Sequence, residues 1–246
     1  MILRRVIEHV KAQNWFAVFL DFVIVVAGVF VGLQVQEWNQ GRLERQQARV
    51  FVERLTRDFE TIVERSEVAL DKWQDVVESS EGLIGDFGDL RARGALPRPY
   101  EEFRTDMNGV IGGRIPAPPA PTFVEMLSAG EVSLLQDAAL RDALLAYHAQ
   151  AHFSLEAYRV LIARTQASNS LLITFMDPKF PDRAVDVYSG PLTSTSYDAD
   201  VPGLAADPAV KGAIRNLGVA GDNHRSLAFA QLQKAREALA ALKAQP

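Results

Sequence analysis

The residues best suited to chemistry lie in one short run, His148-Ala-Gln-Ala-His152, continued by Glu156. On a helix, positions i, i+4 and i+8 stack on one face, a geometry that can present two imidazoles and a carboxylate to a divalent metal. The run lacks the Glu directly after the first His that a zinc protease uses as its base. Four histidines in the whole chain leave only His224 as a plausible further imidazole. The expected role is therefore a polar flank of a helical bundle, with His148, His152 and Glu156 as the alternative metal set.

Other chemistry is harder to build. Asp198-Ala-Asp200-Val-Pro202-Gly203 starts like a calcium loop, but its fifth position is Pro202 and its twelfth Ala209, where the mechanism needs oxygen ligands. There is no Gly-x-x-x-x-Gly-Lys phosphate loop, no strand-borne Gly-x-Gly-x-x-Gly and no Gly-x-Ser-x-Gly elbow. No cysteine is present, which removes disulfides, thiol nucleophiles and cysteine zinc sites. No catalytic residue and no cofactor are expected. The charge balance, 26 basic against 31 acidic residues, gives -5 and no basic excess for holding phosphates, so a nucleic-acid partner is not expected either.

The elements that position these residues begin with an apolar run from Trp15 to Val35, broken only by Asp21 and Gln34. About twenty residues at about 1.5 Å each span the hydrocarbon layer of a bilayer, and Trp15 and Trp38 mark its two ends. The sequence predicts one transmembrane helix over residues 14–37, preceded by a short interfacial segment, 1–13, in which Ile2, Leu3, Val6 and Val10 oppose Arg4 and Arg5. A cleaved signal peptide is the competing reading, but Gln36-Glu37-Trp38-Asn39 offers no small-x-small cleavage site. Arg4, Arg5 and Lys11 precede the span, while acids dilute Arg42, Arg45, Arg49 and Arg54 after it. The expected orientation has the N-terminus in the cytoplasm and the bulk of the chain outside. Gly28 and Gly32 form Gly-x-x-x-Gly, and Asp21 shares their face, so Asp21, Gly28 and Gly32 are the candidate surface for helix association.

Residues 40–246 read as a helical extramembrane domain. Apolar or small residues recur in steps of three and four at Ala48, Phe51, Leu55, Phe59, Ile62, Ser66, Ala69, Trp73, Val76, Ser80, Leu83 and Phe87. That period predicts one long amphipathic helix, ended by Gly82, Gly85 and Gly88. A loop from Arg91 to Pro121 follows, carrying Pro116-Ala-Pro-Pro-Ala-Pro121 and one short helix over 101–110. Thr122 is then the expected N-cap of a short helix, with Glu125 closing a capping box and Gly130 stopping it. Asp137 caps a second long helix, reaching about Phe175 and ended by Met176-Asp-Pro178. A polar loop occupies 178–206, and two separate helices are expected from Pro208 to Leu217 and from Ser226 to Ala244. The predicted fold is all-α: a single N-terminal transmembrane helix, then a bundle of three to four main helices with two long Pro/Gly-rich loops.

Two stretches carry a resemblance. One is Asp21, Gly28, Leu33-Gln34 and Trp38-Asn39; the other is Thr122, Phe123, Glu125, Leu127, Ser128-Ala129-Gly130, Leu134-Leu135, Leu140-Arg141 and Tyr147. In order and spacing they resemble an uncharacterised family of bacterial single-span membrane proteins, a domain of unknown function. This chain has Asp21 where that family shows Glu. The resemblance implies a membrane anchor plus a helical domain and no known chemistry. Within the second stretch, Thr122, Phe123, Arg141 and Tyr147 are expected to form a polar knot that fixes the short helix against the long one, or else a ligand contact through Arg141. The expected partners are the lipid bilayer and another protein or a second copy, with the protein in the bacterial inner membrane and its helical domain in the periplasm. A ligand- or metal-sensing domain is the alternative.

Overall fold

The structure, a computed structural model, describes residues 15–179 and 196–245, with the side chains of residues 15–18 excepted. The predicted interfacial segment 1–13 and most of the loop within 178–206 lie outside the described residues. The chain divides into two compact units, 1–51 and 52–246.

Helix α1, Trp15–Arg93, runs through 79 residues. In the first unit it is long and apolar enough to cross a membrane, and its apolar window has no buried residues. Phe22, Val25 and Phe30 are each about two-thirds exposed. In the second unit the same helix presents the predicted seam, and every one of its positions from Leu55 to Phe87 is buried. The helix does not stop at Gly82, Gly85 or Gly88. It ends where Gly94 takes φ +70 and its amide donates to the Leu90 carbonyl. A helical glycine costs only about 1 kcal/mol, and burial of Leu83, Phe87 and Leu90 outweighs that.

After α1 come α2 (Tyr100–Val110), α3 (Pro121–Ala129), a 3-10 turn (Glu131–Leu134) and α4 (Ala138–Ile173). Strands β1 (Met176–Lys179) and β2 (Ser196–Ala199), the short α5 (Val201–Ala206) and α6 (Val210–Lys243) complete the described chain. Asp137 caps α4 as expected, accepting from the amides of Ala139 and Leu140. Thr122 is not the cap of α3. Pro121 occupies the first turn, and the Thr122 amide donates instead to Asp58 on α1 at 3.0 Å. Glu125 closes no capping box; its carboxylate pairs with Arg54. Gly130 stops α3 in the left-handed region at φ +72, as predicted.

Two further expectations are corrected. Met176-Asp-Pro178 does not simply end a helix: it pairs antiparallel with β2, Met176 opposite Ala199. Asn108 of α2 extends that ladder, accepting from the Tyr197 amide and donating to its carbonyl. The last two predicted helices are one, α6, because Gly218 and Gly221 are points of close approach. A Cβ at Gly218 would lie 2.1 Å from Ser80 Oγ, and one at Gly221 would lie 2.6 Å from Val76 Cγ1.

Contacts set the topology of the second unit. Phe59 meets Tyr147 and Trp73 meets Tyr158, so α1 and α4 run parallel. Arg225 reaches Gln74 while Arg236 reaches Glu67, so α6 is antiparallel to α1. Two parallel helices need a connection that returns the length of the bundle. Part of that return is the proline run: Arg114 is level with Trp73 and Thr122 with Asp58. Eight residues therefore cover the height of fifteen helical ones, about 22 Å, or nearly the rise of a polyproline II segment. At the far end, Leu83, Phe87, Phe103, Met107, Leu172, Leu204 and Ile214 form a core that joins α1, α2, α4, α5 and α6.

Candidate functional site

The extended segment is gripped by one donor from each long helix. Trp73 Nε1 of α1 donates to the Arg114 carbonyl at 3.1 Å, Tyr147 Oη of α4 to the Pro118 carbonyl at 2.8 Å, and Gln231 Nε2 of α6 to the Ala117 carbonyl at 2.6 Å. Gln231 also donates to Tyr147 Oη at 3.3 Å. Gly113, at φ +147, passes over Trp73 so closely that a Cβ would sit 2.4 Å from the indole ring. Burial pushes the Tyr147 phenol up to about 12, against the opposing pull of the Gln231 hydrogen bond. The hydroxyl is therefore neutral at ordinary pH, which suits a hydrogen-bonding post and not an acid or base.

The four residues of the expected knot make separate contacts. Phe123 is buried and meets His148 edge-on, ring centroids 5.7 Å apart, while Tyr147 packs edge-on against Phe59 at 4.9 Å. Arg141 does not fasten the short helix. Its guanidinium donates to the carbonyls of Leu135 and Gln136, closing the linker onto the start of α4. Fastening of α3 falls to Asp58 and Arg54 of α1.

His148 and His152 do come together, with ring centroids 4.5 Å apart. Burial, and then the neighbouring His152, lower the His148 pKa, which favours the neutral form of that imidazole. Nδ1 of His148 is buried without a hydrogen-bond partner. Glu156 turns to Arg159 at 3.4 Å. His224 does not join them: it stacks on Trp73, centroids 4.2 Å apart. Among the described residues no three His, Asp or Glu side chains converge as a metal-holding group.

Asp21, Gly28 and Gly32 belong to the first unit. Asp21 is exposed, and a Cβ added at either glycine would meet nothing within 4 Å.

One polar centre had no motif to announce it. Arg98 bridges Asp86 at 2.5 Å and Asp106 at 2.6 Å, tying the turn after α1 to α1 and α2. Its three members are scattered in a charged sequence. Gln231 did leave a signal: counted in steps of four and three, His224, Ala228, Gln231, Ala235, Ala238 and Leu242 form the buried face of α6. The bulkier Phe229 is 52% exposed.

No protein-family model, curated protein or solved structure matches the chain.

Proposed function

We propose that the chain is a single-pass protein of the bacterial inner membrane, with a cytoplasmic N-terminus and a periplasmic helical domain that acts through protein contacts. The observation that carries this reading is the apolar stretch of α1 from Phe19 to Val35, in which no residue is buried, a surface that water disfavours and a bilayer covers. The Asp21, Gly28 and Gly32 face supports self-association, because both glycines leave open space for a second backbone. The resemblance to single-span bacterial proteins points the same way.

Size in mild detergent tests the association. Gly28→Leu and Gly32→Leu should each shift the full chain to a smaller assembly, and an unchanged size overturns the reading. The absence of cysteine allows the orientation to be read as well. Ile115→Cys, at an exposed position, should react with a membrane-impermeant maleimide when the outer membrane alone is opened. Labelling only after lysis would reverse the topology.

A further inference from the structure

Helices α4 and α6 leave an open trench between them, with a cavity of about 630 Å³, within the range of small-molecule sites. Its walls are Phe153, Ala157, Val160 and Leu161 from α4 and Leu227 from α6. Phe153 and Val160 remain 61% and 44% exposed. The polar groups are few, and they are arranged unevenly. Asn223 and Ser226 make a neutral rim on α6. On α4, Glu156 is engaged by Arg159, whereas Arg164 has no acidic partner among the described residues. Phe153 and Arg164 lie eleven residues, or about 16 Å, apart along the helix axis.

An open, largely apolar trench with an unpaired cation at one end suits a straight hydrocarbon tail with an anionic head. We propose that this trench binds a long-chain fatty acid, the carboxylate on the Arg164 guanidinium and the tail running over Val160 towards Phe153. The guanidinium supplies paired donors that a carboxylate fits, and Phe153, Ala157, Val160, Leu161 and Leu227 offer the tail an apolar lining. The site is independent of the proposed membrane role, since it lies within the second unit and draws on nothing from residues 15–35.

The test uses the full chain in phosphatidylcholine nanodiscs and a myristic acid bearing a diazirine near its methyl end, with adducts mapped by mass spectrometry. Adducts are expected on residues 153–161 and on Leu227. Excess myristate should chase them and myristyl alcohol should not. Arg164→Glu, an exposed substitution whose fold is checked by circular dichroism, should cut the trench adducts roughly tenfold, the loss expected for one charge contact. Arg164→Lys should keep most of them. Adducts confined to residues 19–35, equal chasing by the alcohol, or equal labelling in Arg164→Glu would each overturn the proposal. So would protection of Val160→Cys from maleimide by a co-purifying polypeptide that myristate does not displace.

Discussion

The imidazole of His224 lies nearly flat on the indole of Trp73, with ring centroids 4.2 Å apart and planes 22° from parallel. Tyr158 closes the group from α4, its ring 5.3 Å from the imidazole. Nε2 of His224 is buried without a hydrogen-bond partner, so this ring is held by its faces.

Burial pushes the His224 pKa down to about 4 from an ordinary 6.5. In the folded chain the ring therefore stays neutral over a range in which the unfolded chain takes up a proton. Stability should be intact above pH 6.5, fall as the pH drops from 6.5 to 4, and lose at most about 3 kcal/mol by this route. Urea midpoints of the full chain measured across that range should slope less in His224→Gln than in the parent. Equal slopes would mean that the ring is already charged or already solvated.

Tyr147 and Gln231 share their hold on the Ala117-Pro118 backbone, and their losses should not add. Tyr147→Phe strands the Pro118 carbonyl and Gln231→Leu the Ala117 carbonyl, each costing about 1–3 kcal/mol. The double variant should lose less than the sum by about 0.5 kcal/mol or more. Strict additivity in chemical unfolding would show that the two donors act separately.

Glycines on α6 should divide by what faces them. Gly218→Ala drives a Cβ into Ser80 and should destabilise by about 1–3 kcal/mol despite better helix propensity. Gly212→Ala, exposed with nothing within 4 Å, should stabilise by up to about 1 kcal/mol. Thermal midpoints that move the same way for both would contradict the close approach of α6 to α1.

Arg98 neutralises Asp86, which is almost fully buried, and Asp106. Arg98→Met leaves two carboxylates facing each other and should cost about 3 kcal/mol. Adding Asp86→Asn should restore a substantial part. A loss no larger than that of Lys72→Met, which breaks an exposed pair with Asp75, would show a solvated centre.

What the sequence made legible follows from how local each cause is. The seam from Phe51 to Phe87 could be read because large apolar side chains mark a helical face by themselves. The Asp137 cap and the Gly130 stop could be read because cap and helix are neighbours in the chain. The break expected between Leu217 and Ser226 was misplaced because Gly218 and Gly221 answer to Ser80 and Val76, more than a hundred residues away. Thr122 was misread for the same reason, since its amide is satisfied by Asp58 on another helix. The strand pair was invisible because β1 has four residues, one of them Pro178, and gains order only from β2 and Asn108. Among the candidate site residues, the contact of His148 with His152 was visible as a spacing. The true partners of Arg141 are main-chain carbonyls, and no residue type announces those.

The run from Pro116 to Pro121 is held by its carbonyls, and what suits it to that position is partly what it lacks. Pro116, Pro118, Pro119 and Pro121 bring no amide hydrogens into a strip where an indole, a phenol and an amide side chain already donate. A segment of ordinary residues with the same reach would add amide donors that need acceptors of their own. The strap is therefore constrained in its hydrogen count as well as by the burial of Ala117 and Ala120. Backbone chemistry, which a residue-by-residue comparison of side chains overlooks, sets which sequences can cross there.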